Sequence, residues 1–429
     1  LRSDGHYGEW LLSKPFMIVI NDVAYAHGGF PEFVAEYGLA GVNGNLKEDL
    51  AGVMRMAESL QEMGMLSPAD RFRQVPDVLT KRADAGQLTD VALETAVQLM
   101  DFADSPLHGP EGPTWYRGTV ACRALVEGDT LQAALNRIGA ARVVVGHTST
   151  DTRKVQQHMG GRVLEIDTGM LNEVYGGRGH ALVIENGHAS VVSQDGATDL
   201  VPTPHPQRIG HESLAIEESE LEEILATGDI IDVPAVGARW KLLRVGSGDR
   251  TVLAAFRESP GKGKFLPELA AYRLDRLLQL GMVPATVRRE VGGQDGTLQL
   301  VPAVTMTERE RVARGRGKSP SCPMAKQVAA MFVFDALVHN VSRSPSSMLF
   351  EQEDWQLMLV DHNDSFSVRG ELSTTAEGAD LIVGDQWRTA LLSIDDKVLR
   401  RELGDVLDRE RMAALRQRRD LLLELWNGS

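Results

Sequence analysis

Cysteine is nearly missing from this chain. Cys122 and Cys322 are the only two among 429 residues, which excludes a disulfide-dense scaffold and a four-thiolate zinc site. Long apolar runs are missing as well. None approaches the roughly 18 residues that a membrane helix needs, so no membrane span is expected. Positive charge is in deficit: 45 Lys and Arg stand against 60 Asp and Glu, a net charge of -15, and both halves share the acidic excess. Phosphate backbones call for a net positive face, so nucleic acid is not an expected partner. An initiator Met is absent too, because the sequence starts at Leu1, and no signal-like segment follows. With so little cysteine, a cytoplasmic location is the expectation.

What is present suffices for folding. Hydrophobic residues make up 43% and charged residues 24%, a balance that supports packed cores rather than disorder. The length allows two to three domains of roughly 150 residues each. Short β-branched runs at Phe16–Ile20, Arg142–Val145 and Val163–Ile166 read as buried strands. Apolar residues at three- and four-residue spacing over Leu46–Met63 and Thr89–Phe102 read as helices. A turn-rich stretch, 195–211, marks a boundary, and an acidic helix is expected over Glu212–Leu225. Beyond it come strands at Trp240–Val245 and Val252–Arg257, a helix at Pro267–Leu280, and helices again from Met324 and from Lys397. The alternation predicts an α/β or α+β layered fold.

Two histidines follow strands and precede small residues: His27 in Ala26-His27-Gly28-Gly29, and His147 in Val145-Gly146-His147-Thr148. Open sheets place ligands at the C-terminal ends of their strands, and imidazole is a common metal ligand. Arg117, in Trp115-Tyr116-Arg117-Gly118, offers a guanidinium fork for a phosphate. Each has a plainer reading: a hydrogen-bonded structural histidine, and an arginine packed on Trp115. Gly261-Lys262-Gly263-Lys264 lacks the spacing of a phosphate loop and reads as a solvated turn.

The order His-Gly-Gly, Gly-Pro-x-Trp-Tyr-Arg-Gly, Val-Val-Gly-His-Thr, Ile-Asp-Thr-Gly-Met resembles that of calcineurin-like metallophosphoesterases, in the bacterial type of the phosphoprotein phosphatase superfamily. The resemblance covers residues 1–195. It implies a β-sandwich flanked by helices, with two divalent metals (Mn, Fe, Zn or Mg), His27 and His147 as metal ligands, Arg117 on the substrate phosphate and Tyr175 lining the site. The substrate would be a phosphoprotein or other phosphoester. The family's Asp-x-His, Gly-Asp-x-x-Asp-Arg-Gly and Gly-Asn-His-Glu motifs do not occur in residues 1–26. The resemblance therefore implies an N-terminally truncated domain that is inactive as it stands. It also implies an open sheet edge that a protein partner would cover.

The region 229–429 resembles atypical kinases. A helix ends near His339, a loop follows, and a strand over Gln356–Val360 leads into Asp361. By this resemblance Arg257 falls at the phosphate-binding lysine, Glu268 at its partner glutamate and Asp361 at the metal-binding aspartate. Ser342 falls at the catalytic aspartate and Ser347 at the metal-binding asparagine. Serine cannot take up a hydroxyl proton as a carboxylate does, so phosphoryl transfer is expected to be lost while ATP and Mg²⁺ could still bind. Asp361 also fits a turn residue in Asp361-His362-Asn363-Asp364.

The domain expectation is thus 1–195 metallophosphatase-like, 196–228 linker with an acidic helix, and 229–429 kinase-like. The leading functional expectation is a relative of metal-dependent phosphoprotein phosphatases. The alternative is a non-catalytic nucleotide- or phosphoprotein-binding pseudokinase module.

Overall fold

The computed structural model describes every residue except 1, 103–104, 106–108, 199, 203–217, 233–240, 249, 260–264, 303–304, 317–320, 353–354, 374–380 and 427–429. The Gly261–Lys264 turn, Trp240, and residues 199 and 203–217 of the expected linker, with the start of its acidic helix, lie outside the described residues. The fold is of the α+β class. The chain divides into two compact units: Leu1–Val120 with Thr130–Pro202, and Ala121–Asp129 with Thr203–Ser429.

The first unit is built on a six-stranded sheet. Its strands are β1 (Met17–Ile20), β2 (Val23–Ala26), β3 (Arg142–Val145), β4 (Gln156–His158), β5 (Val163–Glu165) and β9 (Val201–Pro202). They lie in the order β1-β2-β3-β5-β4-β9. Two of the β-branched runs, β3 and β5, form its parallel centre with β2, where Ala26 pairs with Val145 and Val145 with Glu165. Parallel strands need cover on both faces, and the centre of β3 is buried accordingly. A second sheet, β6 (His180–Glu185), β7 (His188–Ser193) and β8 (Gly196–Thr198), is antiparallel. Leu182, Ile184 and Ala189 from it pack on Val23, Val144 and Leu164. β1 is the outermost strand of its sheet, and Ile18 and Ile20 on it are exposed.

The helix expected from Leu46 starts at Glu32 and runs to Glu62. Gly38, Gly41 and Gly44 disfavour helix over that earlier stretch. Burial of Val34, Val42 and Leu46 outweighs the propensity, and the non-helical Gly38 (φ 64) marks where the segment kinks. The helix Asp90–Asp101 is capped as its sequence suggests, with Thr89 Oγ1 accepting from the Ala92 amide.

The second unit holds a five-stranded antiparallel sheet: β10 (Asp229–Asp232), β11 (Lys241–Ser247), β12 (Arg250–Glu258), β13 (Thr286–Val291) and β14 (Gln294–Leu300). The order is β10-β11-β12-β14-β13. The helix Pro267–Leu278 lies in the chain between β12 and β13. Gly292 and Gly293, both at positive φ (60° and 80°), make the two-residue turn of the β13–β14 hairpin. A small sheet of β15 (Thr305–Thr307), β16 (Met348–Glu351) and β17 (Leu357–Leu359) follows. Phe256, Leu269, Leu298, Phe334, Phe350 and Leu415 share one core with the helices Met324–Val338 and Arg409–Glu424. Cys122 and Cys322, both within this unit, are joined by a disulfide. No helix among the described residues is long and apolar enough to cross a membrane.

Candidate functional site

In the first unit, the level ends of β2 and β3 bring His27 and His147 together. Gly28 and Gly29 add a second approach. Their amides donate to the Pro113 carbonyl at 2.9 and 3.1 Å, and a Cβ on Gly28 would lie 2.7 Å from the Thr114 oxygen. Only glycine lets the 113–119 segment lie this close to the end of β2. That segment carries Trp115 and Arg117. Nη2 of Arg117 lies 3.1 Å from Nε2 of His147, and Nδ1 of His147 lies 3.0 Å from Nε2 of His27. A guanidinium only donates. His147 Nε2 therefore accepts, and its ring proton sits on Nδ1 and points to His27. Trp115 meets the His147 ring edge-on at 4.9 Å. Burial, then the charge of Arg117, then His27 hold the His147 pKa below its usual value, with Asp167 opposing.

This donor set does not fit the expected two-metal centre. Both ring nitrogens of His147 are engaged, one of them by a cation. Among the described residues no three His, Cys, Asp or Glu side chains converge as a metal site. Oδ1 of the nearby Asp167 accepts from the Gly169 amide (2.9 Å) and the Ser149 hydroxyl (3.2 Å). Hard divalent cations want several oxygen ligands. Tyr175 does not join the cluster. It ends the short helix Asn172–Tyr175, is half exposed, and has no hydrogen bond or ring contact to His27, His147 or Arg117 among the described residues.

In the second unit, Arg257, Glu268 and Asp361 do meet. Arg257 reaches Asp361 at 3.2 Å and Glu268 at 3.7 Å. They border a cavity of about 400 Å³, within the usual range for small-molecule pockets of roughly 300–1,000 Å³. Ala255, Leu300, Val301 and Leu349 give it apolar walls, while Thr305, Ser344, Ser346 and Ser347 supply hydroxyls. Asp361 takes a left-handed backbone (φ 64) and keeps 45% of its side chain exposed. The buried Nη1 of Arg257 has no hydrogen-bond partner among the described residues. Burial alone would raise the Glu268 pKa. Hydrogen bonding from His362, with the charge of Arg257, outweighs it and holds the carboxyl below its usual range.

Ser342 and Ser347 do not act as acceptors facing the cavity together. Ser342 bonds Asn340 Oδ1 through both its hydroxyl and its amide. Ser347 is tied to Ser344 in a local turn, and of the two only Ser347 borders the cavity.

Beneath them lies a network that the sequence did not reveal. Arg343 is bidentate to Asp335 at 2.8 Å on both arms. It also donates to the carbonyls of Ser347 and Val360, and its Nη2 lies 3.1 Å from Nε2 of His362. The same donor chemistry puts the His362 proton on Nδ1, which faces Glu268 at 3.4 Å. The one available signal was Asp335 itself, a lone carboxylate in the apolar run Met324–Val338. Such a group must find a partner.

No family model matches the chain, and no curated protein matches it. Among solved structures, the proinflammatory kinase CtkA of Helicobacter pylori aligns at 11% identity and a TM-score of 0.30, covering 46% of this chain and 92% of that one. The toxin–antitoxin complex of HipA and HipB with operator DNA from Shewanella oneidensis aligns at 13% identity and a TM-score of 0.25, covering 49% and 70%. At scores this low neither likeness carries weight beside the geometry of Arg257, Glu268 and Asp361.

Proposed function

We propose that the second unit is a kinase-like module that binds a nucleotide with Mg²⁺ and does not transfer its phosphoryl group. The observation that carries this reading is the placement of Arg257 between Glu268 and Asp361 at the cavity. Protein kinases put a lysine on the third strand, pair it with a glutamate of the next helix, and hold metal on an aspartate beyond the catalytic loop. Here Arg257 is on the third strand of its sheet, Glu268 is on the following helix, and Asp361 follows β17.

Transfer needs a base and a second metal-holding group. By the kinase resemblance, Ser342 and Ser347 fall at those two positions. A serine hydroxyl bonded to Asn340 cannot serve as a carboxylate base at neutral pH. Asp361 would hold Mg²⁺, which neutralises phosphate charge when bound. Arg257, with a free N–H direction, would take a phosphate oxygen.

The first unit does not support metal-dependent phosphatase chemistry. Its histidine pair and Arg117 form a hydrogen-bonded cluster lacking, among the described residues, the carboxylates that such hydrolysis requires.

Thermal-shift titration with ATP and MgCl₂, beside a radiolabelled γ-phosphate transfer assay, tests the proposal. A shift with no transfer is expected. No shift at millimolar nucleotide would remove the reading. Transfer by the wild-type chain would remove its non-catalytic part.

A further inference from the structure

The two cysteines carry an inference independent of the nucleotide reading. Cys122 lies in the short segment 121–129, which groups with the second unit, and Cys322 lies two residues before the helix Met324–Val338. Their Cα atoms are 5.1 Å apart across a sequence separation of 200 residues. A spacing of about 5.5–6 Å is typical of bonded pairs, and 5.1 Å is inside the usual range. Each cysteine is only 1% exposed.

The surroundings are built around this junction. Glu127 pairs with Lys326 at 2.9 Å, and its side chain is fully buried. Gln356 Nε2 donates to the Ala121 carbonyl at 2.9 Å. Gln327 Nε2 donates to the carbonyl of Cys322 itself at 3.0 Å. The Gln386 amide donates to Asp129 at 3.0 Å, and Leu125 enters the main core. Of these contacts, the Glu127–Lys326 pair joins the same two segments as the sulfurs, and the others anchor each segment to the rest of the unit.

We propose that Cys122 and Cys322 are an oxidative cross-link site, and that the oxidised chain, matured outside a reducing cytosol, is the working form. Disulfides persist in oxidising compartments and are rare where glutathione keeps thiols reduced.

The chemistry balances with a disulfide oxidant such as oxidised glutathione. One cysteine thiolate attacks the oxidant, forming a mixed disulfide and releasing one glutathione thiolate. The second cysteine thiolate attacks that mixed bond, closes Cys122–Cys322 and releases the second. Two protons leave the cysteines, and the oxidant gains two electrons.

Burial fixes the character of the bond. An incoming thiolate must reach a sulfur, and neither is open to solvent. The link therefore forms during folding and resists reduction afterwards, as a permanent staple and not a switch.

The test is alkylation and intact mass on the full chain. Reduced, denatured protein is refolded with oxidised glutathione, then denatured and treated with iodoacetamide. No adduct is expected without reductant, and two are expected after reduction. Native protein should keep the bond in dithiothreitol, while protein in urea with dithiothreitol should lose it. Two alkylatable thiols in the oxidatively refolded chain would overturn the cross-link. Equal reduction rates in the native and denatured states would overturn its permanence. Both readouts use the wild-type chain, so neither depends on a variant that folds.

Discussion

Arg257 and Asp361 face each other at 3.2 Å across the cavity of the second unit, and Asp361 is the more exposed of the two. The pair closes on itself unless something else satisfies both charges. On the nucleotide proposal, a bare polyphosphate would meet a carboxylate on its way to the guanidinium, and Mg²⁺ held by Asp361 would leave Arg257 to the phosphates.

Substituting Asp361→Asn should therefore change metal dependence more than binding itself. The wild type should show a thermal shift with ATP and Mg²⁺ and little with ATP and EDTA. The variant should bind ATP equally well in both, with metal-free affinity raised about tenfold, in keeping with removal of one nearby charge. Equal binding by the wild type with and without Mg²⁺ would count against the ion pair as a barrier.

Breaking the pair beneath the cavity should be costly. Arg343 and Asp335 are 4% and 1% exposed. Asp335→Asn leaves the guanidinium buried without its counter-charge, a loss of about 3–5 kcal/mol. Urea unfolding followed by tryptophan fluorescence measures it. A loss below about 1 kcal/mol, the level of an exposed ion pair, would mean that water reaches this network.

Stability should fall in mild acid. His147 and His339 both have pKa values held below the usual 6.5, the first by burial, Arg117 and His27, the second by burial and Arg418. Each is favoured neutral in the fold, so the unfolded chain binds protons first. Their contribution is complete above about pH 6.5 and declines as pH drops below it, through the folded values. Imidazole proton resonances should titrate with midpoints under about 6.5 for both, and the urea midpoint should drop between about pH 7 and 5. A midpoint above the usual histidine value for either would contradict the assignment.

Removing the cross-link should destabilise without unmaking the fold. The double variant Cys122→Ser, Cys322→Ser loses the constraint on a very long loop, worth about 2–5 kcal/mol. Its melting temperature should be unaffected by dithiothreitol and match that of wild type reduced in urea and refolded under reductant. A melting temperature equal to the oxidised wild type would show that the Glu127–Lys326 pair and its neighbours suffice.

The legible parts of this molecule were local. A β-branched run ending in His-Gly-Gly or Gly-His-Thr located His27 and His147, because strand ends and glycines are written in adjacent residues. Arg257, Glu268 and Asp361 were named only through the resemblance to atypical kinases. Arg343 with Asp335 and His362 could not be grouped, because each residue reads as ordinary until the fold supplies the others. The same holds for Cys122 and Cys322, which are far apart in the chain and share no motif. The early start of the helix Glu32–Glu62 was hidden by three glycines whose penalty burial outweighs.

Arg418 shows how far such long-range dependence extends. It is fully buried in the helix Arg409–Glu424. Its Nε donates to the Leu337 carbonyl at 2.7 Å, and its Nη1 donates to the carbonyls of Ser367 and Arg369. Burial lowers its pKa to about 10. In effect the final helix delivers an intramolecular ligand, and three carbonyls form its receptor. One lies at the end of the helix that leads into Ser342 and Arg343, and two lie just past Asp361. Occupancy of that receptor is guaranteed by covalent connection, so the loops bordering the cavity inherit their order from a residue dozens of positions downstream. A library of substitutions in this last helix should therefore read out as changes in ligand affinity, with none of them touching the ligand.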